Sequence, residues 1–476
     1  MTGVQTCALP ILDLNRVIGY GLRITGTIND HFSSHTITAN TRNGSAITYY
    51  KNVENTPILS SSSQIILVNS NQTTGSFLNI DGASIAIQLY NSHNNKFLAV
   101  TITNSRYNGI NGILSSGNEF VSLYISDTLL GANLHFEQSN SLLFSFVTSS
   151  DSIIGLLAIN CNSLKIQFSN ILSNINGIDI YTSSTIEVSY TTIDDNFIGI
   201  SLTDCYYPTI QASNLQNFGV IGILLDNCVL PYLFDNEFTE SSGTPLYLSN
   251  TDSGTISLQS FSSLTTPGAK IIMDAESSNN YLDRITMSNI NTGIEVWGNN
   301  NILQTSVISG ASTAIEIYGS NNELNSLSIT SSTTGILVQA NSFNTKILGS
   351  TFSDLTTAIH IQSDADLVYI EYNQIEQSDV GIRVDVASNV EIRYTLYCTN
   401  IANTQISPLA TNIVQFQNWN CFSGSDAAED SLKDTTDPRN NEPGIKALDE
   451  IPGYSTSLLI ILGLISIFGL IIKRRS

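Results

Sequence analysis

Little of this chain carries charge. Asp, Glu, Lys and Arg make up 12% of its 476 residues, and 18 basic side chains face 40 acidic ones, for a net charge of −22. So thin a supply of Lys and Arg excludes a nucleic-acid-binding surface, which needs cations concentrated against phosphates. Metal ligands are scarce too. There are 3 methionines and 5 histidines, and His31, His35, His93, His135 and His360 are scattered along the chain. Soft or imidazole-rich metal sites therefore have little to build on. No Cys-x-x-Cys pair occurs, so a zinc framework is missing. Phosphate-binding glycine loops, nucleophile elbows and His-bearing metal helices are missing as well. These absences imply no metal and no cofactor. Before the C-terminal tail no segment repeats apolar residues at a 3.6 period over a dozen positions, which removes helical and leucine-rich repeats.

What the chain has is repetition. From about residue 86 to about residue 400, a small residue, an apolar one, any residue and another apolar one return every 21 to 24 residues. Examples are Ala86-Ile87-Gln88-Leu89, Gly177-Ile178-Asp179-Ile180, Gly199-Ile200-Ser201-Leu202, Gly293-Ile294-Glu295-Val296 and Gly381-Ile382-Arg383-Val384. A period in this range predicts a solenoid. Apolar residues at i and i+2 predict strands. A second phrase follows each anchor, as in Asn94-Asn95-Lys96-Phe97, Asn300-Asn301-Ile302-Leu303 and Asn321-Asn322-Glu323-Leu324. Asn accepts left-handed backbone angles and suits a tight bend. Stacked in register, one Asn side chain can bond to that of the next coil. A third short strand follows, as at Val307-Ile308. The expected fold is all-β, a parallel β-helix, right-handed because parallel crossovers overwhelmingly are. About fourteen coils at roughly 4.8 Å would give a rod on the order of 65 Å, each coil stabilised mainly by its neighbours.

The division expected is residues 12–85 as an N-terminal β region with the first coils, and 86–422 as the repeats. Residues 423–450 are rich in Asp, Glu, Ser, Pro and Asn, a composition that reads as a flexible acidic stalk. Residues 454–472 carry no charge, and at about 1.5 Å per residue they reach roughly 28 Å, enough for one transmembrane helix. Lys473-Arg474-Arg475 follow. The basic end predicts a cytoplasmic terminus, a single-pass anchor and a β-helix outside the cell. Ser, Thr and Asn at outward positions agree with an extracellular surface. The stretch Met1 to Leu12 lacks a basic start and a long apolar run, so it is no signal peptide. Its string resembles a translated sequencing adapter, and residues 1–11 are expected to be non-native.

Setting Cys7 aside, cysteines stand at 161, 205, 228, 398 and 421. Cys205 and Cys228 lie six residues past their anchors, where Ser92, Ser183 and Ser320 stand in other coils. Two readings fit: a column of small residues at a bend, or a disulfide between coils in an oxidising exterior. Cys398 and Cys421 are one period apart, and a bond there would pin the last coil.

On one expected sheet, two positions past the anchor, stand Glu295, Glu316, His360 and Arg383. Trp297 and Tyr318 come two residues later, beside the acidic pair. Stacked outward, they would form a surface where sugars could lie, with aromatics as flat platforms and carboxylates for hydroxyls. Glu295 and Glu316 would be adjacent like charges, which costs energy unless solvent or a cation relieves it. A glycosidase needs two carboxyls at a set separation, and this pair is one of many that would qualify. No catalytic constellation rises above background.

The Gly-Ile-x-Leu and Asn-Asn-x-Leu phrases resemble the right-handed parallel β-helix repeat of pectate-lyase-like and NosD-like proteins, over about residues 35 to 420. Asn43-Gly44-Ser45-Ala46-Ile47 with Ser63-Gln64-Ile65-Ile66-Leu67 resembles the opening of such domains in archaeal surface proteins. Ile451-Pro452-Gly453-Tyr454-Ser455, with the apolar span and basic end, resembles archaeal sorting tails, which implies cleavage near Pro-Gly and lipid attachment. The expected function is a cell-surface β-helix for adhesion, glycan or ion binding, or envelope structure, with the membrane and glycans or surface proteins as partners. A polysaccharide lyase or glycoside hydrolase of the pectate-lyase-like class is the first alternative. A copper-handling protein is the second, with no copper ligand carried over.

Overall fold

A computed structural model describes residues 11–13, 16–17, 19–26, 29–262 and 268–421. The expected stalk, membrane helix, sorting motif and residues 1–10 lie outside them. Each coil is built from three short strands. In one coil these are Asn176–Tyr181, Ser184–Ser189 and Thr192–Asp194. First strands stack on first strands, in parallel and in register. Ile178 pairs with Ile200 and Ile180 with Leu202, then Ile200 with Ile223 and Leu202 with Leu225. Second and third strands stack in the same way to form the rest of the wall. The result is an all-β parallel solenoid of about sixteen turns, roughly 75 Å long. That exceeds the expected fourteen because strands Ser45–Lys51 and Gln64–Val68 stack below residue 86. Other coils replace the small anchor by Asn133, Pro245 or Lys270, so the phrase does not reveal them.

Inward Ile, Leu, Val and Phe columns make one continuous core, with Ile178, Ile180, Ile200, Leu202, Ile223 and Leu225 all 0% exposed. Full burial of such a side chain contributes about 1.5–3 kcal/mol. The anchor is small because coils approach closely there. A Cβ added to Gly177 would lie 2.5 Å from the Gly199 carbonyl oxygen, and one on Gly199 2.5 Å from that of Gly222.

Polar ladders close the turns. In the Asn-Asn phrase the first residue is left-handed, with φ of 57° at Asn300 and 58° at Asn321. The second is buried. Asn301 Oδ1 accepts the Asn280 N–H at 2.9 Å, and its Nδ2 donates to the Ser277 carbonyl at 3.2 Å. Asn301 N–H in turn donates to Asn322 Oδ1 at 2.8 Å. The side-chain-to-side-chain ladder expected from sequence runs instead along exposed first positions, as from Asn344 Nδ2 to Asn321 Oδ1 at 2.9 Å.

At the N-terminal end a segment lies across the outer face of the first strands. Leu22 exchanges hydrogen bonds with the Gln64 amide, and Ile24 with that of Gln88. Phe32, on the short helix Asn29–Ser33, stacks on Tyr90 with ring centroids 3.7 Å apart. Ile24, Phe32, Ile37, Ile66, Val68 and Tyr90 form a second small core outside the coil. At the other end a disulfide joins Cys398 to Cys421, Cα atoms 4.7 Å apart, as their spacing suggested.

Candidate functional site

The six candidate residues share one face, that of the first strands. Register runs Glu295, Glu316, Leu337, His360, Arg383 on successive coils. Leu337 splits them into two groups. In the first, the Trp297 and Tyr318 rings stack with centroids 3.6 Å apart and planes 4° from parallel. Trp297 is 43% exposed. Trp297 Nε1 donates to Glu295 Oε2 at 3.3 Å, and the Tyr318 hydroxyl to Glu316 Oε2 at 2.7 Å. Gln339 Nε2 adds a donor to Glu316 at 3.1 Å. Directly opposed carboxylates repel, and these donors, one to Glu295 and two to Glu316, offset that repulsion. Burial, then the bond to the Glu316 carboxylate, pushes the Tyr318 phenol well above its ordinary range. It stays a neutral donor at any physiological pH.

The second group closes on a residue that sequence reading missed. Asp385 accepts from His360 Nε2 at 2.9 Å and from Arg383 Nε at 3.1 Å. Partial burial raises the Asp385 carboxyl, and the bonds from His360 and Arg383 outweigh it, so the group ends below its ordinary value. Asp385 stands two residues past Arg383, as Trp297 does past Glu295. That shared offset was the signal.

Cys205 and Cys228 remain free thiols, with Cys161 in the same column. Of the two readings of this pair, the column of small residues describes it, and no disulfide joins them. Each sulfur instead takes the place of a serine hydroxyl in a turn ladder. Ser183 Oγ donates to the Tyr181 carbonyl at 2.7 Å while accepting the Cys161 N–H at 2.9 Å. Cys205 Sγ likewise faces the Thr203 carbonyl at 3.3 Å, and Cys228 Sγ the Leu202 carbonyl at 3.3 Å. Burial pushes the Cys161 thiol up to about 11, so it is inert.

Two further features lie on coils nearer the N-terminus. Phe146, Phe168 and Tyr190 occupy the left-handed corner between second and third strands. They stack at 5.4 and 5.1 Å while 46–58% exposed. In the turns that follow the third strands runs a groove of about 680 Å³, lined by Asp127, Asp151 and Asp195 together with Leu129, Ile153 and Phe197. Both features recur at a period of 22 or so in the sequence, but lie outside the anchor phrase.

Residues 292–419 match the family described as a right handed beta helix region. The chain has a right-handed β-helix repeat region. Among solved structures it is similar to PfbA, a surface adhesin of Streptococcus pneumoniae, at 12% identity over 63% of this chain and 84% of that one, TM-score 0.42. It is similar to a mannuronic acid specific family 6 polysaccharide lyase from human gut microbiota, at 12% identity, 59% and 84% coverage and TM-score 0.38. The A-module of the mannuronan C-5 epimerase AlgE6 of Azotobacter vinelandii is a third, at 10% identity, 74% and 90% coverage and TM-score 0.36. No curated protein sequence matches the chain.

Proposed function

We propose that this chain is a cell-surface β-helix that binds glycans without turning them over, through the face carrying Trp297, Tyr318, Glu295 and Glu316. The observation that carries this reading is the stacked Trp297–Tyr318 pair, Trp297 exposed and Tyr318 half-buried, two rings held parallel and fixed by bonds to adjacent carboxylates. Flat apolar rings suit the C–H faces of sugars, and fixed carboxylates accept from hydroxyls. Preorganisation lowers the ordering cost of binding. Both carboxylates are already engaged as acceptors from their own coils, which favours holding a ligand over acid–base work on it. The acidic stalk and the apolar span with its basic end support attachment to a membrane with the solenoid outside.

Titration of the full chain with oligosaccharides tests this through tryptophan fluorescence. The chain has 2 tryptophans, and Trp419→Phe leaves Trp297 as the sole reporter. The expected outcome is a saturable fluorescence change, matched by calorimetric binding that Trp297→Ala weakens about tenfold, with no reducing ends or unsaturated products formed. Product formation would turn the reading into the enzyme alternative. Binding unaffected by Trp297→Ala would overturn the placement.

A further inference from the structure

We propose an oxyanion site at the N-terminal end, formed by Arg23 and Arg106 and taking a sulfate or phosphate ester carried on a glycan. It shares no residue with the Trp297 face and does not depend on that reading. The N-terminal strap places Arg23, held by the bonds of Leu22 to Gln64 and of Ile24 to Gln88. Arg106 and Tyr107 sit in the turn before strand Asn108–Ile113, where their N–H groups donate to the Ala83 and Ser84 carbonyls at 2.8 and 3.0 Å. The Ser84 N–H donates in turn to the Tyr20 carbonyl, which ties strap to coil. Two rings and two cations meet across this seam. The Arg23 guanidinium lies 3.9 Å from the Tyr107 ring centroid. That of Arg106 lies 5.5 Å from the same ring and 5.2 Å from Tyr20.

What these two cations lack points to a ligand. Lys96, Lys165, Arg284, Lys346, Arg383 and Arg393 each sit against a carboxylate. Among the described residues Arg23 and Arg106 have neither a contacting carboxylate nor a side-chain hydrogen bond. Arg42 shows the contrast, a guanidinium that serves the fold. It is 3% exposed and donates to the Ser63, Asp81 and Gly82 carbonyls at 2.8, 2.7 and 2.9 Å. Stacking on a ring engages only the flat face of a guanidinium and leaves the N–H donors around its edge free. Arg23 is exposed, and the Arg106 nitrogens are open to solvent. Two like charges held against one ring also repel. A bound anion would relieve that repulsion and take up the free donors.

The local charge admits an anion. Residues 16–106 hold six Lys or Arg against three Asp or Glu, whereas the whole chain holds 18 against 40. The field at this end is therefore positive on an otherwise acidic molecule. Geometry selects the class. One guanidinium fork fills both oxygens of a carboxylate, whereas the terminal oxygens of a sulfate or phosphate ester can serve two forks together. Two arginines are too few for a lipid surface, which takes a cluster of roughly four to eight. Tyr20, 38% exposed, sets an apolar ring beside the charges, which suits the C–H face of the sugar carrying the ester.

The test is calorimetric titration of the full chain with sulfated and phosphorylated manno-oligosaccharides, their unmodified parents, oligogalacturonate, inorganic sulfate and phosphate, and phosphatidylserine vesicles. One ester or both should bind about tenfold tighter than parent or oligogalacturonate, with affinity falling as salt rises. Arg23→Gln and Arg106→Gln should each weaken that binding about tenfold. Neither side chain has a hydrogen bond to lose, so the thermal midpoint should move by only a few degrees. Arg106→Lys keeps the charge without the fork and should recover only part of the loss. Trp297→Ala should leave ester binding intact. Ester binding untouched by both glutamine variants, or removed by Trp297→Ala, would overturn the site, as would no binding of either ester. Parent sugar or oligogalacturonate binding as tightly would overturn the selection for an ester. Inorganic anion competing on equal terms, or vesicle binding that the arginine variants remove, would overturn the glycan source. Ester binding lost in the arginine variants, with no oligosaccharide bound at Trp297, would uphold this site and overturn the first-strand reading.

Discussion

At the scale of single residues, the buried polar groups do as much as the aliphatic columns to define the coil. Asn301 and Asn322 each complete backbone bonds of the coil below. Asn301→Ala would leave the Asn280 N–H and the Ser277 carbonyl unpaired in a dry turn, at about 2–4 kcal/mol. Asn300→Ala would meet only the left-handed strain, about 1 kcal/mol. Urea unfolding of the two variants should separate by that margin, and equal losses would refute the division of labour. The doublet and its bend were legible from sequence. The target of the second amide was not, because nothing in the order of residues says which carbonyl a buried side chain will meet. Lys270 offers a pH test. It fills an anchor position, is 0% exposed, and burial lowers its ammonium from 10.5 to about 8. The native lysine then sheds its proton before the unfolded one, so its penalty is fully present below about pH 8 and is relieved as pH rises from there toward 10.5. The thermal midpoint of the full chain should climb between about pH 8 and 10. Lys270→Met should flatten that climb, and an unaltered slope would show that another group sets it.

At the scale of the coil, stacking of like on like explains both the rows of aromatics and the small-residue columns. Phe168 sits between Phe146 and Tyr190 in a conformation bulky residues seldom adopt. Phe168→Ala is expected to cost about 1 kcal/mol through two lost ring contacts, measured by denaturant midpoint. A gain in stability would mean that relief of backbone strain outweighs stacking. The last coil is the weakest. Residues 401–421 are exposed or half-buried throughout, and Ile406, Ala410 and Ile413 pack on the core only in part. The Cys398–Cys421 bond closes a span of 23 residues, worth about 3 kcal/mol in the chain-entropy picture. Cys398→Ser should therefore admit limited proteolysis within residues 400–421 while earlier coils resist. Uniform resistance would show the bond to be dispensable. Spacing suggested this pair, and at Cys205 and Cys228 the same spacing left two readings open, a disulfide or a column of small residues. One-period separation brings two cysteines close in either case, and the ladder that occupies the second pair is visible only in three dimensions.

At the scale of the whole molecule, stability is close to a sum over nearest-neighbour coils. Deleting residues 293–313 would join Thr292 to Ala314, a junction the chain already contains as Thr313-Ala314. The product should fold cooperatively, with a midpoint within a few degrees of the parent and a rod about 4.8 Å shorter by small-angle scattering. Loss of cooperative unfolding would contradict coil independence. The architecture was legible because a solenoid writes its period into the sequence at every turn. The N-terminal strap was not, since Leu22 and Ile24 are fixed by single amides of Gln64 and Gln88 far along the chain. The groove escaped notice for a related reason. Its walls come from turn positions, whose identities vary while the strand phrase holds.

Parallel register has an evolutionary corollary. The upper rim that each coil presents matches the lower rim it covers, so an extra copy inserted anywhere between the two ends meets a surface already suited to it. Reach can then grow by tandem duplication, with neither terminus remade and with each recognition row extended by a further step.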